Sequence, residues 1–265
     1  MNEQLDDRIW VWGLPLVILI LMAVVLFSGI NVSLFKLING LSSITGERIW
    51  AFVTLFGDGL VCVVVLFPWI RKNPKNVLAV VLAVLVSAVL TQILKRAVDM
   101  SRPPRIFPLD EFNLIGPFLG KYSFPSGHSA MVFILAGSFS LTTNVRWRRY
   151  LAILLASLVA VSRIVVGVHW PLDILAGAFI GWLVVWMSLK IADRMVWGWK
   201  GLGQKILGVL LLLCCLFLLI ANYTGYETVL FEQRTIAILF LLLGSYEYLR
   251  IYGLDILRMI GLRKP

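Results

Sequence analysis

Residues 77–94 read VLAVVLAVLVSAVLTQIL, a run without a single charge. Its length approaches the roughly 20 apolar residues that an α-helix needs to cross a hydrocarbon core of about 30 Å. Runs of this kind recur along the chain, and a helix in lipid satisfies its own backbone hydrogen bonds. The sequence therefore predicts an all-α fold, a polytopic bundle of membrane helices. The predicted spans are 9–27, 51–70, 77–94, 128–141, 150–168, 172–191, 206–221 and 235–248.

The composition excludes a soluble domain, since 60% of the 265 residues are apolar and the mean hydropathy is +0.92. The net charge of +10 would by itself be compatible with nucleic-acid binding. If the N-terminus is cytoplasmic, however, 15 of the 24 Lys and Arg residues fall in cytoplasmic segments, which is the positive-inside bias of membrane proteins. We therefore expect both termini in the cytoplasm and no nucleic-acid partner. The compact chain and short loops favour the inner membrane of a bacterium.

Three features outside the polar motifs are interpreted as structural. The first run is expected to remain as a span, because no small-x-small cleavage site follows it. Segment 31–47 is expected to form a short amphipathic helix along the outer interface. The cysteines fall within runs and are expected to be small buried apolar groups rather than disulfide partners or metal ligands. They are Cys62, Cys214 and Cys215.

Three polar segments stand at the ends of predicted spans. The alternation of spans puts all of them at the outer face, although they are far apart in sequence. They contain both histidines of the chain, and histidine is the side chain best placed to exchange a proton near neutral pH. The segments are Lys95-x6-Arg102-Pro103, Pro125-Ser126-Gly127-His128 and Ser162-Arg163-x5-His169-x3-Asp173.

Each segment taken alone has a structural interpretation. Lys95 and Arg102 are compatible with basic side chains that reach lipid headgroups. Ser126 is a typical N-cap residue, and His128 alone is compatible with an interfacial histidine. Arg163 and Asp173 are compatible with an ordinary ion pair at a helix boundary. These interpretations leave unexplained why all the groups converge on one side of the membrane.

The combined set favours phosphate as the ligand. Three cations, Lys95, Arg102 and Arg163, can neutralise phosphoryl oxygens, and the planar guanidinium does so with two hydrogen bonds. Ser126 and Gly127 stand where a helix begins, so free backbone N–H groups can face an anion. Gly127 has no side chain to block its approach.

The same set also supplies a nucleophile and an acid. Pro171 suits the first turn of a helix, which puts Asp173 one helical step beyond His169. A carboxylate there can hold one ring nitrogen of His169 and leave the other free to attack. His128 can then protonate a leaving oxygen. These groups suit phosphoryl transfer through a covalent intermediate, and the scattered acidic residues favour no metal requirement and no cofactor.

The three segments resemble the three signature motifs of the type 2 phosphatidic acid phosphatase superfamily, in its integral-membrane lipid phosphatase branch. All eleven fixed positions are present in order, and the resemblance covers roughly residues 1–200. It implies a six-helix core and metal-independent removal of phosphate from lipid phosphates or diphosphates. It also implies His169 as nucleophile, oriented by Asp173, and His128 as general acid. Phosphate would be held by Lys95, Arg102, Arg163, Ser126 and the Gly127 backbone.

Residues 203–265 form a two-helix extension beyond the predicted phosphatase core of residues 1–202. The resemblance gives the extension no role, although its polar segment, including Tyr223 and Tyr226, is expected on the active-site side. Asp58 has two interpretations of equal weight. It is either a functional acid near membrane depth or an interfacial residue paired with Arg105.

Of three alternatives, the first remains open on sequence grounds and the other two are disfavoured. A lipid phosphotransferase would use the same first half-reaction and pass the phosphate to another lipid. A non-catalytic lipid transporter would place its polar groups at the bilayer midplane, whereas here they gather at span ends. A vanadium haloperoxidase has a similar anion pocket but is soluble. The substrate classes that fit are polyprenyl diphosphate, phosphatidylglycerol phosphate, phosphatidate and lipid A.

Overall fold

The computed structural model describes residues 2–259, with side chains for residues 8–251. The 15 Lys and Arg residues counted above as cytoplasmic include Arg258, Arg263 and Lys264, which lie outside the described side chains. Over the described part of the chain the structure is helical and contains no strand. Its α-helices are α1 (Asn2–Ser28), α2 (Asn31–Asn39), α3 (Leu41–Thr45), α4 (Glu47–Leu55), α5 (Gly59–Val64), α6 (Pro74–Val98), α7 (Pro103–Ile106), α8 (Gly127–Thr142), α9 (Arg146–Val165), α10 (Pro171–Arg194), α11 (Val196–Trp199), α12 (Gly201–Ile220) and α13 (Leu230–Met259).

Five helical stretches within the described residues are long and apolar enough to cross a membrane: Arg8–Ser28, Pro74–Ile106, Pro171–Arg194, Gly201–Ile220 and Glu227–Ile251. A sixth candidate is the bent pair Glu47–Leu55 and Gly59–Trp69. The two remaining predicted spans correspond to α8, which has only 16 residues, and to α9, which has three arginines in its first turn. The all-α membrane bundle is thus confirmed.

The predicted span 51–70 is not one continuous helix. Its two halves are bent by 56° at a break between Leu55 and Gly59. Asp58 is extended there, and its carboxylate accepts hydrogen bonds from the backbone N–H groups of Leu60 and Val61 at the start of α5. An N-cap of this kind starts a new helix, so the continuous span was wrong.

Helix α10 lies at the centre of the bundle, between α8, α6 and α1. Glycines allow it to approach α8 closely. A Cβ atom on Gly177 would lie 2.3 Å from the Ser126 carbonyl oxygen, and one on Gly181 would lie 2.2 Å from that of Ala130. Small residues at such contacts are the usual way for membrane helices to come together. This contact brings the start of α8 alongside the first two turns of α10.

The long connection between α6 and α8 is an ordered loop held by backbone hydrogen bonds. Ser123 N–H donates to the Met100 carbonyl over 2.8 Å, and Arg102 N–H donates to the Gly120 carbonyl over 3.0 Å. Ile115 N–H donates to Val166 at the end of α9 over 3.1 Å. The loop is therefore fixed against the region between α9 and α10.

Segment 31–47 forms two short helices rather than one, α2 and α3, separated at Gly40. Phe35 of α2 is buried while Leu37 is 73% exposed, which is the expected amphipathic pattern. Its position at the membrane interface remains a prediction. Cys62 and Cys215 are free and buried, whereas Cys214 is only partly buried.

The C-terminal helices α12 and α13 pack together and against α5. Their buried residues, including Leu211, Cys215 and Ala237, share one apolar cluster with Val64 and Phe67. The division into a core of residues 1–202 and an extension of residues 203–265 remains a prediction, although both share this cluster.

Replacing Gly181 by Ala should destabilise the bundle, because the added methyl group collides with the Ala130 carbonyl and forces α8 and α10 apart. Overpacking of this kind costs about 1–3 kcal/mol. The midpoint of thermal unfolding in detergent should fall for G181A. The matched control is G13A in α1, where the nearest atom lies 3.8 Å from the new Cβ, and its midpoint should not fall. Equal midpoints for the two variants would contradict this view of the contact.

Candidate active site

The three motif segments meet around the ring of His169, which is 2% exposed. His169 lies between α9 and α10. Its Nδ1 atom is 3.2 Å from Oδ2 of Asp173, and its Nε2 atom is 3.2 Å from Nη1 of Arg102. Because Asp173 accepts and Arg102 donates, this network assigns the ring proton to Nδ1 and leaves Nε2 with its lone pair.

Asp173 is held in place by the first turn of α10. Pro171 begins the helix, and Asp173 at the third helical position accepts a hydrogen bond from the Trp170 backbone N–H over 2.8 Å. The same Oδ2 atom accepts the Ser123 hydroxyl over 2.5 Å. Asp173 does not form the ordinary ion pair with Arg163 that was one interpretation of the sequence. Its hydrogen-bond partners are His169, Trp170 and Ser123.

Arg102 is 7% exposed and is anchored by backbone carbonyls on several sides. Its Nη1 donates to Val168 over 3.0 Å, its Nε to Lys121 over 2.9 Å and its Nη2 to Tyr122 over 3.3 Å. These contacts fix the guanidinium beside the free nitrogen of His169. Burial of this degree does not fit a side chain that reaches for headgroups.

Arg163, 2% exposed, lies in the last turn of α9. Its Nη1 atom donates to the Thr54 hydroxyl over 2.6 Å and to the Tyr226 hydroxyl over 2.9 Å. Its buried Nε atom has no hydrogen-bond partner among the described residues. A buried donor without a partner is costly, so this edge of the guanidinium is suited to an anion.

Ser126, Gly127 and His128 form the start of α8. Ser126 is the N-cap, and its hydroxyl accepts the Ser129 backbone N–H over 3.4 Å. A Cβ atom on Gly127 would meet nothing within 4 Å, so the space beside its backbone is open. The side chain of His128 contacts Gly57 at the break between α4 and α5, where a Cβ atom would lie 3.0 Å from that of His128.

The charged residues of the predicted site act together on the pKa of His169. Burial lowers the pKa of His169 well below its usual value, and the charges of Arg102, Arg163 and Lys95 lower it further. His128 has a smaller effect in the same direction. Lys95, partly buried in the last turn of α6, thus joins the site through its charge. The ring of His169 is therefore neutral at pH 7.

Three contributors to the site were missed by the sequence-based prediction: Thr54, Ser123 and Tyr226. Ser123 precedes the Pro125 motif by two residues, but a lone serine in a proline-rich loop gives no signal. Thr54 is a small polar residue within an apolar run. Tyr226 was expected on this side of the membrane without any role.

Asp58 does not pair with Arg105. Its carboxylate caps α5 and accepts a hydrogen bond from the Tyr223 hydroxyl. Burial, together with the Asp58 carboxylate, raises the pKa of Tyr223, which keeps the phenol protonated as the donor. Asp58 therefore connects the break in the span to the C-terminal extension.

The relatives of the chain decide its family. It is 33% identical over 165 residues to the undecaprenyl-diphosphatase of Sulfolobus acidocaldarius, covering 62% of this chain and 79% of the relative. The sequence profile of the PAP2 superfamily matches residues 76–197. The chain belongs to the PAP2 superfamily. The family predicted from the three motifs is confirmed, and the chain is an integral membrane protein with lipid phosphatase activity.

Two solved structures share its fold. The crystal structure of Aquifex aeolicus LpxE is similar with a TM-score of 0.53 and 33% sequence identity, covering 61% of this chain and 95% of that one. A PAP2 type phosphatidylglycerolphosphate phosphatase of Bacillus subtilis aligns with a TM-score of 0.53 and 21% identity, covering 71% and 98% of the two chains. The second likeness concerns the fold alone.

The pH dependence of kcat/KM should report the field at His169. A nucleophilic His169 must be neutral, so activity is present above its pKa and is lost as the pH falls through that pKa, which lies below 6.5. Replacing Lys95 by Gln removes one of the cations that lower this pKa. The acid limb of kcat/KM should therefore move to higher pH in K95Q.

The control is K121Q, an exposed lysine of the loop, which should leave the limb in place. Ionisation of the substrate is common to all three proteins and cancels from the comparison. A limb that moves to lower pH in K95Q, or moves equally in both variants, would contradict this assignment.

Proposed function

We propose that the protein is a phosphatase that removes the terminal phosphate of a lipid phosphate or diphosphate at the outer membrane face through a phosphohistidine. The observation that carries the proposal is the arrangement of His169. A carboxylate holds its Nδ1 proton, and its Nε2 lone pair faces a buried guanidinium. This is the geometry of an activated nucleophile beside a phosphate clamp.

In the first step, Nε2 of His169 attacks phosphorus, and the bond between phosphorus and the lipid-side oxygen breaks. His128 donates a proton to that oxygen and becomes neutral. Asp173 stabilises the positive charge that develops on the ring of His169. Arg102 turns its Nη1 donor from Nε2 to a phosphate oxygen, which is the stronger acceptor because it is charged.

In the second step, water attacks the phosphohistidine, and His128 accepts its proton. The N–P bond breaks, inorganic phosphate leaves, and His169 returns to its neutral form with the proton still on Nδ1. Both steps use the same acid–base group in opposite directions. Positioned general acids and bases of this kind contribute about 10²- to 10⁴-fold in rate.

The phosphate is held from three sides in this proposal. Arg102 supplies its Nη1 donor, Arg163 supplies the edge that contains its unpaired Nε, and Lys95 supplies a point charge. The N-terminus of α8 supplies the Ser126 hydroxyl and the backbone N–H of Gly127, where the open space allows close approach of an oxygen. The equatorial oxygens of the transferring phosphoryl group are thus neutralised without a metal ion, so we propose metal-independent catalysis.

The outer face is supported by the charge distribution. The ends of α6, α8, α9 and α10 that carry the site are opposite to the ends that carry Lys75 and the arginines at the start of α9. The positive-inside rule assigns those basic ends to the cytoplasm. For a bacterial inner membrane, the site would then open to the periplasmic or extracellular side.

A polyprenyl diphosphate is the first substrate to test, since the Sulfolobus relative is an undecaprenyl-diphosphatase. Phosphatidylglycerol phosphate, phosphatidate and lipid A have the same reacting group, a phosphate ester or anhydride at the membrane surface. The proposed phosphate site binds only the phosphate group that these lipids share. Selection of one substrate among the four lipids therefore depends on contacts with the rest of the lipid.

Phosphate release by the purified full-length protein from these four lipids, in detergent with EDTA, tests the function. At least one lipid should release inorganic phosphate with EDTA present, and H169A should reduce release to background while its thermal unfolding midpoint stays near that of the wild type. Strict dependence on magnesium, or full activity of H169A, would contradict the proposal. Transfer of labelled phosphate to an added acceptor lipid would instead support the phosphotransferase.

A further inference from the structure

The C-terminal extension reaches the active site through the short loop between α12 and α13. Tyr223 donates to Asp58, and a Cβ atom on Gly225 would lie 2.9 Å from Cγ of Pro117 in the long active-site loop. The ring of Tyr226, 4% exposed, lies so close to Gly116 that a Cβ atom there would be 2.4 Å from the ring. The loop between α12 and α13 thus contacts both the break at Asp58 and the long loop that precedes α8.

The Tyr226 hydroxyl contacts Arg163 at one particular nitrogen. Nη1 of Arg163 donates to both Tyr226 and Thr54. In a guanidinium group, Nε and Nη2 lie on one edge, and Nη1 lies at the other end. Two partners on Nη1 therefore fix the rotation of the planar group and leave the edge that contains the unpaired, buried Nε for a bidentate anion.

We propose that Tyr226 is a positioning residue for Arg163, by which the C-terminal extension completes the phosphate site. This inference rests on the function proposed above, in which Arg163 binds phosphate. Tyr226 lies beyond the residues 76–197 that match the family profile, so the contribution comes from outside the matched region. It acts through the Arg163 side chain and does not itself contact the reacting atoms.

Apolar burial alone does not account for the position of Tyr226. Its ring does belong to an apolar cluster with Trp50, Leu55 and Val166, and a phenylalanine would fill the same volume. The hydroxyl adds a polar atom to this cluster, and a buried tyrosine hydroxyl needs a hydrogen-bond partner. The partner is Arg163, which indicates that the hydroxyl orients a charged side chain.

The test compares Y226F with Y248F in the full-length protein. Both variants remove one hydroxyl from a buried tyrosine of the extension, but the Tyr248 hydroxyl donates to the Lys205 carbonyl, away from the motif residues. Orthovanadate, an analogue of the transferring phosphoryl group, is the probe, and its dissociation constant and inhibition constant are measured. The midpoints of thermal unfolding of both variants check that the phenyl ring without its hydroxyl is enough to maintain the fold.

Y226F should weaken vanadate binding and lower kcat/KM for a lipid phosphate by about 5- to 20-fold, the range expected for a lost hydrogen bond to a charged group that keeps a second partner. Y248F should change both by less than about 2-fold. Wild-type vanadate affinity in Y226F would overturn the inference while leaving the phosphatase proposal intact. A wild-type protein that neither binds vanadate nor releases phosphate would overturn the proposed function itself.

A double-mutant cycle with R163K separates positioning from general destabilisation. Lysine has no Nη1 atom, so Tyr226 has nothing to orient in that background, and Y226F should there cost less than about 2-fold in vanadate affinity. The same loss in both backgrounds would show that Tyr226 acts on the site by another route and would overturn the inference. The cycle distinguishes positioning of Arg163 from general destabilisation even if Y226F lowers stability. An effect of lost stability on vanadate affinity would be present in both the wild-type and the R163K backgrounds and would cancel.

Discussion

One backbone hydrogen bond connects the two helix ends on which the site depends. The Ser126 N–H donates to the Asp173 carbonyl over 3.0 Å, and Gly177 gives the Ser126 carbonyl room to approach α10. The bond joins the motif that carries His128 to the motif that carries His169. The proposed acid His128 stands in the first turn of α8, and the proposed nucleophile His169 directly precedes α10. The bond between Ser126 and Asp173 therefore sets the position of one relative to the other.

The site also concentrates positive charge away from water. Arg102 and Arg163 are almost fully buried, and Lys95 is partly so, while the carboxylates nearest to them belong to Asp173 and Asp58. Buried charges are costly unless they are paired. A bound phosphoryl group would supply the missing negative charge. Burial lowers the pKa of His169, and the same excess of cations lowers it further. In the proposed mechanism, one electrostatic arrangement thus serves both phosphate binding and nucleophilic attack.

The sequence predicted the convergence of the motifs because span alternation and motif spacing are local properties. Asp173 is the third residue of α10 and reaches back past the N-cap Trp170 to His169, so their contact is local in sequence. The break at Asp58 was not predicted, although it arises locally, from the N-cap that Asp58 forms at the start of α5. Tyr226 lies 63 residues beyond Arg163, and its hydroxyl meets that guanidinium only through tertiary structure. Arg102 was predicted as a phosphate ligand, but its anchoring by loop carbonyls required the folded loop.

Trapping of the covalent intermediate tests the central claim most directly. The full-length protein is mixed with a lipid diphosphate labelled in its terminal phosphate, quenched within milliseconds to seconds, and analysed by peptide mass spectrometry under alkaline conditions that preserve phosphohistidine. The account predicts an acid-labile phosphate on Nε2 of His169. Label on His128, or no phosphoenzyme at any quench time while phosphate is being released, would contradict it.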